Sequence, residues 1–357
     1  MLRNTHRVDR VEDLGHRSIS AVRIEPGLYR APFYVPAKPA AAVLAAPTPV
    51  YVEFLDLPLL TGNEPPHSPH VAVARRPWAG SVAVFSSSED HGYSRNVRVN
   101  RPAVVGDTLD PLPAGDPGRW MMTSIRVRLA SGSLQSRSAL DVFNGGNAAA
   151  VRHASQGDWE VLQFRNAELV SPNEYLLSGF LRGQAGTDAM IPDVWPAGSD
   201  FVLLDESVLQ VNLPSSARGL ARHYRIGPAT QPYDHPSYRH VVEAFDGVGL
   251  RPYRPVHLGA KRLENGDIEF RWVRRSRIDG DSWQGFDIPV GEERELYHAR
   301  VVSGADTLRD FAPETQVLTY RATEQAADGV SGPLVFEVAQ VSERFGPGPY
   351  GRIQFND

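Results

Sequence analysis

Glycine and proline set the limits on what this chain can fold into. With 31 and 29 copies they account for about one residue in six of the 357, against ~12% in an average protein. Each interrupts regular structure, glycine through backbone freedom and proline through its missing N–H. The runs between such breaks are short, which leaves no room for long helices, and no heptad pattern supports a coiled coil. Apolar residues still reach 41%, enough to close a core and to exclude wholesale disorder. The length implies two or three domains.

The short runs read as strands. Residues 50–55, 82–85, 97–99, 157–164 and 201–204 are β-prone segments set between turns. In 125–129, Ile125, Val127 and Leu129 face one way and Arg126 and Arg128 the other, the alternation of a half-buried strand. Spacing near ten residues predicts a mainly β fold of sandwiches or barrels. Helical signal is confined to one short helix expected over Pro236–Phe245 and a turn or two over Ser215–Tyr224. Residues 1–48 read as an extended arm, because 30–39 and 46–49 are proline-rich and favour polyproline II. Tyr29, Phe33 and Tyr34 lie in this arm, and a free linker rarely carries such a cluster.

The last hundred residues are the clearest. Ile268, Phe270 and Trp272 alternate on one face, as do Tyr297, Ala299 and Val301; 317–320, 334–341 and 351–355 complete five strands. The strand tryptophan, the tyrosine strand and the closing Phe-x-Val strand resemble a fibronectin type III domain, placed at 254–357. Gln340 and Phe345 depart from that pattern.

Several chemistries are excluded outright. There is no cysteine, hence no disulfide, thiolate nucleophile or Cys-ligated metal. Only Lys38 and Lys261 are lysines, so nearly all of the 37 basic residues are arginine; genome base composition is the simplest cause. A net charge of −5 gives no broad nucleic-acid footprint, and no sequence-specific nucleic-acid partner is expected. Met1–Arg17 is polar, without the apolar region of a signal peptide. Ala40–Ala46 is too short to span a bilayer, so no transmembrane segment is expected.

The remaining candidates have ordinary readings. The carboxylate pairs Asp279/Asp281 and Glu292/Glu293 invite a glycosidase or calcium reading, but adjacent acids in glycine-rich turns are ordinarily solvated turn residues. The pairs His67/His70 and His235/His240 lack the third and fourth ligands of a zinc site. Residues 181–187, Leu-Arg-Gly-Gln-Ala-Gly-Thr, look like a phosphate loop without its lysine, and Pro192 and Pro196 break any helix after it. No Gly-x-Ser-x-Gly elbow occurs. Trp159 and Trp272 are expected in the core; Trp195 and Trp283, in loop-like context, are candidate glycan contacts. No catalytic, cofactor or metal residue is assigned, and no cofactor is expected.

Eight unusual runs in one order carry a second resemblance. They include Phe-Leu-Asp-Leu-Pro-Leu-Leu-Thr-Gly (54–62), Arg-Pro-Trp-Ala-Gly (76–80), Trp-Glu-Val-Leu-Gln-Phe (159–164) and 181–188. The others are 224–229, 247–258, 272–283 and 339–348. Together they resemble the C-terminal part of the large tail-tip protein of gene transfer agents and siphophages, the megatron or host-specificity protein. That resemblance implies a β-rich, hub-like region over 49–253, with a division near 140 as one option, ahead of the sandwich. It implies a structural, non-enzymatic component of a virion tail tip or baseplate, made in the host cytoplasm. Its implied partners are two further copies in a homotrimer, a tail hub protein, a distal tail protein and other tail-tip chains. The family's long N-terminal part, with its glycosidase-like barrel, is expected to lie before this chain's first residue. The rival readings are a tail adsorption protein binding a host surface glycan, and a tail-associated hydrolase.

Overall fold

The structure, a computed structural model, describes residues 5–13, 15–24, 50–78, 80–153, 156–278, 280, 288–330 and 332–356. The chain forms two compact units, Met1–Ala46 and Pro47–Asp357. The first holds strands β1 (Thr5–Asp13) and β2 (Arg17–Ile24). The second opens with β3 (Tyr51–Leu55), β4 (His70–Ala74), β5 (Val82–Ser87), β6 (Ser94–Val99), β7 (Val105–Thr108), β8 (Leu112–Pro113) and β9 (Met121–Ser131). Helix α1 (Ala139–Phe143) precedes β10 (Ala148–His153), β11 (Gln156–Ser171), β12 (Glu174–Gln184), β13 (Val194–Trp195), β14 (Asp200–Leu203), β15 (Leu209–Gln210), β16 (Arg222–Pro228) and β17 (Arg239–Glu243). The C-terminal part holds β18 (Val256–Arg262), β19 (Ile268–Val273), β20 (Tyr297–Ser303), β21 (Asp306–Phe311), β22 (Val317–Tyr320), α2 (Ala322–Ala327), β23 (Leu334–Ser342), β24 (Gly346–Pro347) and β25 (Gly351–Phe355). The protein is mainly β, as its punctuation requires.

Within the first unit, residues 5–24 depart from the expected extended arm and form an antiparallel hairpin. A register shift between Val8 and Arg10 changes the alternation, so Val8 opposite Ala21 and Val11 opposite Ile19 share one face. Val8, Val11 and Ile19 are all exposed. The bulge explains why the sequence pattern hides the strand: the valines are three apart, and a period of two misses them. The proline-rich stretch and Tyr29, Phe33 and Tyr34 lie outside the described residues.

Strands β10, β11, β12, β9, β7 and β14 close into an antiparallel barrel. The predicted alternation of β9 holds: Ile125, Val127 and Leu129 are buried inside, and Arg126 and Arg128 are exposed. β9 pairs with β12 and β7 with β14, so the barrel's ladders join residues on both sides of 140. A barrel cannot be cut between strands without exposing its hydrogen-bonding edges. β15, β4 and β3 form a second sheet, and β17, β16, β5 and β6 a third. All five residues of β4 are buried. Val71 and Val73 pack toward Val84, Tyr224 and Ile226, whereas Ala72 and Ala74 pack toward the barrel residues Val105, Ala150, Val161 and Val202. The middle sheet is thus covered on both faces, and alanine on the barrel side permits close approach.

Two helical expectations are corrected. Within Pro236–Phe245 the chain forms β17, paired with β16 from Arg222↔Glu243 to Ile226↔Arg239. The β-branched Val241 and Val242 suit a strand, and Pro236 lies upstream of it. Over Ser215–Tyr224 a single 3-10 turn, Ser215–Ala217, gives way to β16. Helix α1 is an addition to the expected elements. Its signal is Ser138, whose hydroxyl accepts from Asp141 N while the Asp141 carboxylate accepts from Ser138 N.

β18, β19 and β22 face β21, β20, β23 and β25, with β24 also on β23. Three strands in this order against four give the fibronectin type III-like sandwich. Its core contains Ile268, Phe270, Trp272, Tyr297, Ala299, Val301, Phe336 and Val338, with Phe270 and Phe336 stacked at 4.1 Å. The Asp328 carboxylate accepts from Arg309 Nε at 2.7 Å and from the Tyr320 hydroxyl at 2.7 Å.

One ion pair is fully buried in the barrel. Glu160 and Arg182 are both 0% exposed. Arg182 donates through Nε and Nη2 to the two Glu160 oxygens at 2.6 and 2.7 Å. Trp195 Nε1 (2.6 Å) and Gly183 N (3.2 Å) donate to the same carboxylate, and Arg182 Nη1 donates to Pro113 O.

Arg182→Ala removes the counter-ion of the buried Glu160 carboxylate, at an expected cost of about 3–5 kcal/mol, read from the urea midpoint. Arg182→Met with Glu160→Leu recovers only part of that loss, since Trp195 Nε1 and Gly183 N then lose their acceptor. In the sandwich, the Arg309 hydrogen bond holds Asp328 below the usual carboxylate range. A depressed folded value contributes stability above the unfolded pKa, and this is lost as pH falls through the folded one. Asp328→Asn should therefore flatten the acid limb of stability measured from pH 7 to pH 3.

Candidate functional site

A cleft of about 1400 Å³ lies where the barrel meets the start of the sandwich. Gln184, Ala185 and Gly186, from the segment 181–187 that resembles a phosphate loop, line one wall. Gly183, Ala185 and Gly186 all take positive φ there. A Cβ on Gly183 would meet Asp188 at 2.6 Å, and one on Gly186 would meet the Tyr253 ring at 2.3 Å. The glycines thus serve close packing. Thr187 Oγ1 accepts from Val161 N at 3.0 Å and donates to Gln184 O at 2.7 Å, tying the loop to β11.

Asp188 is the charged anchor of this seam. Its two oxygens pair with Arg254 and Arg275, each at 2.7 Å, while only 4% of its side chain is exposed. Arg275 also lies over the Tyr253 ring at 5.1 Å. Asp158 pairs with Arg251 at 2.6 Å, so barrel carboxylates hold the connection into the sandwich at two points.

Glu64 and His70 line the same cleft. Glu64 Oε1 accepts from Leu60 N and Thr61 N at 3.2 and 2.7 Å. Glu64 Oε2 and His70 Nδ1 are buried without a hydrogen-bond partner. Burial holds His70 below the ordinary histidine range, opposed by the Glu64 carboxylate. A smaller cleft of about 240 Å³ includes Glu53, Arg152, Arg239 and Glu243. Burial and then Asp200 push Glu53 up, against the pull of Arg152 at 3.1 Å.

The histidine pairs singled out in the sequence separate. His67 Nε2 lies 2.9 Å from Leu213 O, and His235 Nδ1 lies 2.7 Å from Ser237 Oγ. His240 sits beside His223 and Asp90 instead, and these three groups have ligand atoms within 4.8 Å of one another. The sequence hides this grouping because it joins a turn and two strands far apart in the chain. Glu292 pairs with Arg277 at 3.0 Å and Glu293 with Arg344 at 3.0 Å, so this carboxylate pair is engaged by arginines. Asp279, Asp281 and Trp283 lie outside the described residues. Trp159 and Trp272 are core residues, as expected. Trp195 is a correction: only 8% exposed and bonded to Glu160, it offers no face to a glycan.

A family model described as Rcc01698-like, C-terminal, matches residues 103–202, which span the barrel. Rcc01698 is a gene transfer agent-associated protein. No curated protein matches the chain. Among solved structures, a two-domain fibronectin type III segment of chicken tenascin aligns at 8% identity over 70% of this chain and 99% of its own, with a TM-score of 0.22. A cytokine receptor complex aligns at 8% identity over 65% and 90%, TM-score 0.21. The first three fibronectin domains of chicken CNTN1 align at 9% identity over 86% and 97%, TM-score 0.21. Scores this low carry no weight; the sandwich rests on its own strand order. Among the described residues no helix is long and apolar enough to cross a membrane.

Asp188→Ala strands two arginines at the seam. It should lower stability by about 1–3 kcal/mol and speed backbone hydrogen exchange in 251–256 before it does so in the barrel core, as exchange mass spectrometry would read.

Proposed function

We propose that this chain is a non-enzymatic structural component of a phage or gene transfer agent tail tip. It assembles around the tail axis, as a trimer, with hub, distal-tail and other tip proteins, and contributes to host attachment or DNA delivery. The observation that carries this reading is the Rcc01698-like match over the barrel. The eight ordered sequence runs extend the same resemblance from about residue 50 to the end. In this reading the barrel and its covering sheets form the hub-like body, and the sandwich faces outward or braces the tip. The site of action is the virion.

The N-terminal hairpin supports a docking role for residues 1–48. An isolated two-stranded hairpin is marginal in water, and one with Val8, Val11 and Ile19 exposed on a single face gains stability by covering that face. Deleting residues 1–48 should abolish incorporation into tails while the remaining body keeps its far-UV circular dichroism and cooperative melting. Particles that carry the truncated protein at normal occupancy would overturn the proposal.

A further inference from the structure

The outer face of the third sheet carries a cluster that the functional reading leaves unused. Tyr224 and Ile226 point into the core, so the intervening strand positions His223 and Arg225 face outward. On the neighbouring β17, His240 is the direct cross-strand partner of Arg225. Asp90, from the turn between β5 and β6, completes the group. His223 Nδ1 and His240 Nε2 are 3.0 Å apart, in rings inclined by only 9°. Two imidazoles in this relation share one hydrogen, with one nitrogen donating and the other accepting. His240 Nε2 is 3.7 Å from Asp90 Oδ1.

We propose that Asp90, His223 and His240 bind a divalent transition-metal ion of the zinc class, with water at the open positions. Two imidazoles and a carboxylate are a common donor set for such an ion. Metal–ligand bonds of about 2.0–2.1 Å place neighbouring ligands of a tetrahedral site roughly 3.3–3.4 Å apart. The separations of 3.0 and 3.7 Å bracket that value, and all three ligand atoms lie within 4.8 Å of one another. The ion takes the place of the hydrogen shared by the rings. The carboxylate is already oriented: Tyr93 Oη donates to Asp90 Oδ1 at 2.5 Å and Arg225 Nη2 donates to it at 2.9 Å. Such outer partners fix the orientation of a ligating carboxylate. The arrangement differs from the sequence pairing of His240 with His235, whose ring is occupied by Ser237.

The test uses the untagged full chain with Zn²⁺ titrated by calorimetry and Co²⁺ followed by visible absorption. The wild type should bind one ion per chain, with the intense d–d bands of low-coordinate cobalt. His223→Gln and His240→Gln should each weaken Zn²⁺ binding by at least about tenfold, and Asp90→Asn by less. Far-UV circular dichroism checks that these surface variants fold, and His223→Ala and His240→Ala serve as a second pair. A wild type that binds no stoichiometric Zn²⁺ would overturn the proposal. So would unchanged affinity in the folded double histidine variant, because the ion would then sit elsewhere among the 11 histidines.

Discussion

The buried Glu160–Arg182 pair is the constraint around which the second unit is arranged. Two opposite charges with no solvent exposure are tolerable only when every polar atom has a partner. Here the carboxylate receives Arg182, Trp195 Nε1 and Gly183 N, and the guanidinium also reaches Pro113 O. Those partners come from β11, β12, β13 and β8. One pair therefore fixes where two barrel strands and the short β8–β13 ribbon meet. The same carboxylate holds the first left-handed residue of the 183–188 segment. That segment delivers Asp188 to Arg254 and Arg275, and so the geometry of the barrel end sets the position of the sandwich.

The middle sheet explains how so few long elements make one body. A strand covered on one face shows the hydrophobic alternation that sequence patterns detect. β4 is covered on both, by valines on one side and alanines on the other. Its size alternation sorts the two faces, with valines toward the third sheet and alanines toward the barrel. The barrel wall facing it repeats the device: Ala149 and Val151 point inward, and Ala150 packs outward.

Legibility tracks the physics of burial. β9, β19 and β20 are readable in the sequence because one face of each is wet or polar. The hairpin β1–β2 is not, because a bulge moves Val8 and Val11 onto one face at a spacing of three. β17 reads as a helix because its edge position leaves a mixed polar pattern, Arg-His-Val-Val-Glu, with weak alternation. Trp195 sits in a two-residue strand between prolines, and no local pattern reveals a buried glutamate 35 positions earlier that accepts its N–H. The grouping of Asp90, His223 and His240 is illegible for the same reason: strand register, set by pairing across the sheet, brings them together.

The arginine bias acquires a physical role from the structure, whatever its origin. At the seams the guanidinium groups are committed to carboxylates: Arg251 to Asp158, Arg254 and Arg275 to Asp188, Arg277 to Glu292. A planar, permanently charged fork suits this task better than an ammonium, because it can bond two oxygens or stack on an aromatic ring while bonded. Arg275 does the latter, pairing with Asp188 while lying over Tyr253. Pairs of this kind at a junction resist reorientation, since moving either side leaves desolvated charge unpaired. A body braced in that way suits an assembly part whose neighbours must find fixed surfaces. The exposed hairpin of the first unit is the contrasting element, with an apolar face that its own two strands cannot bury.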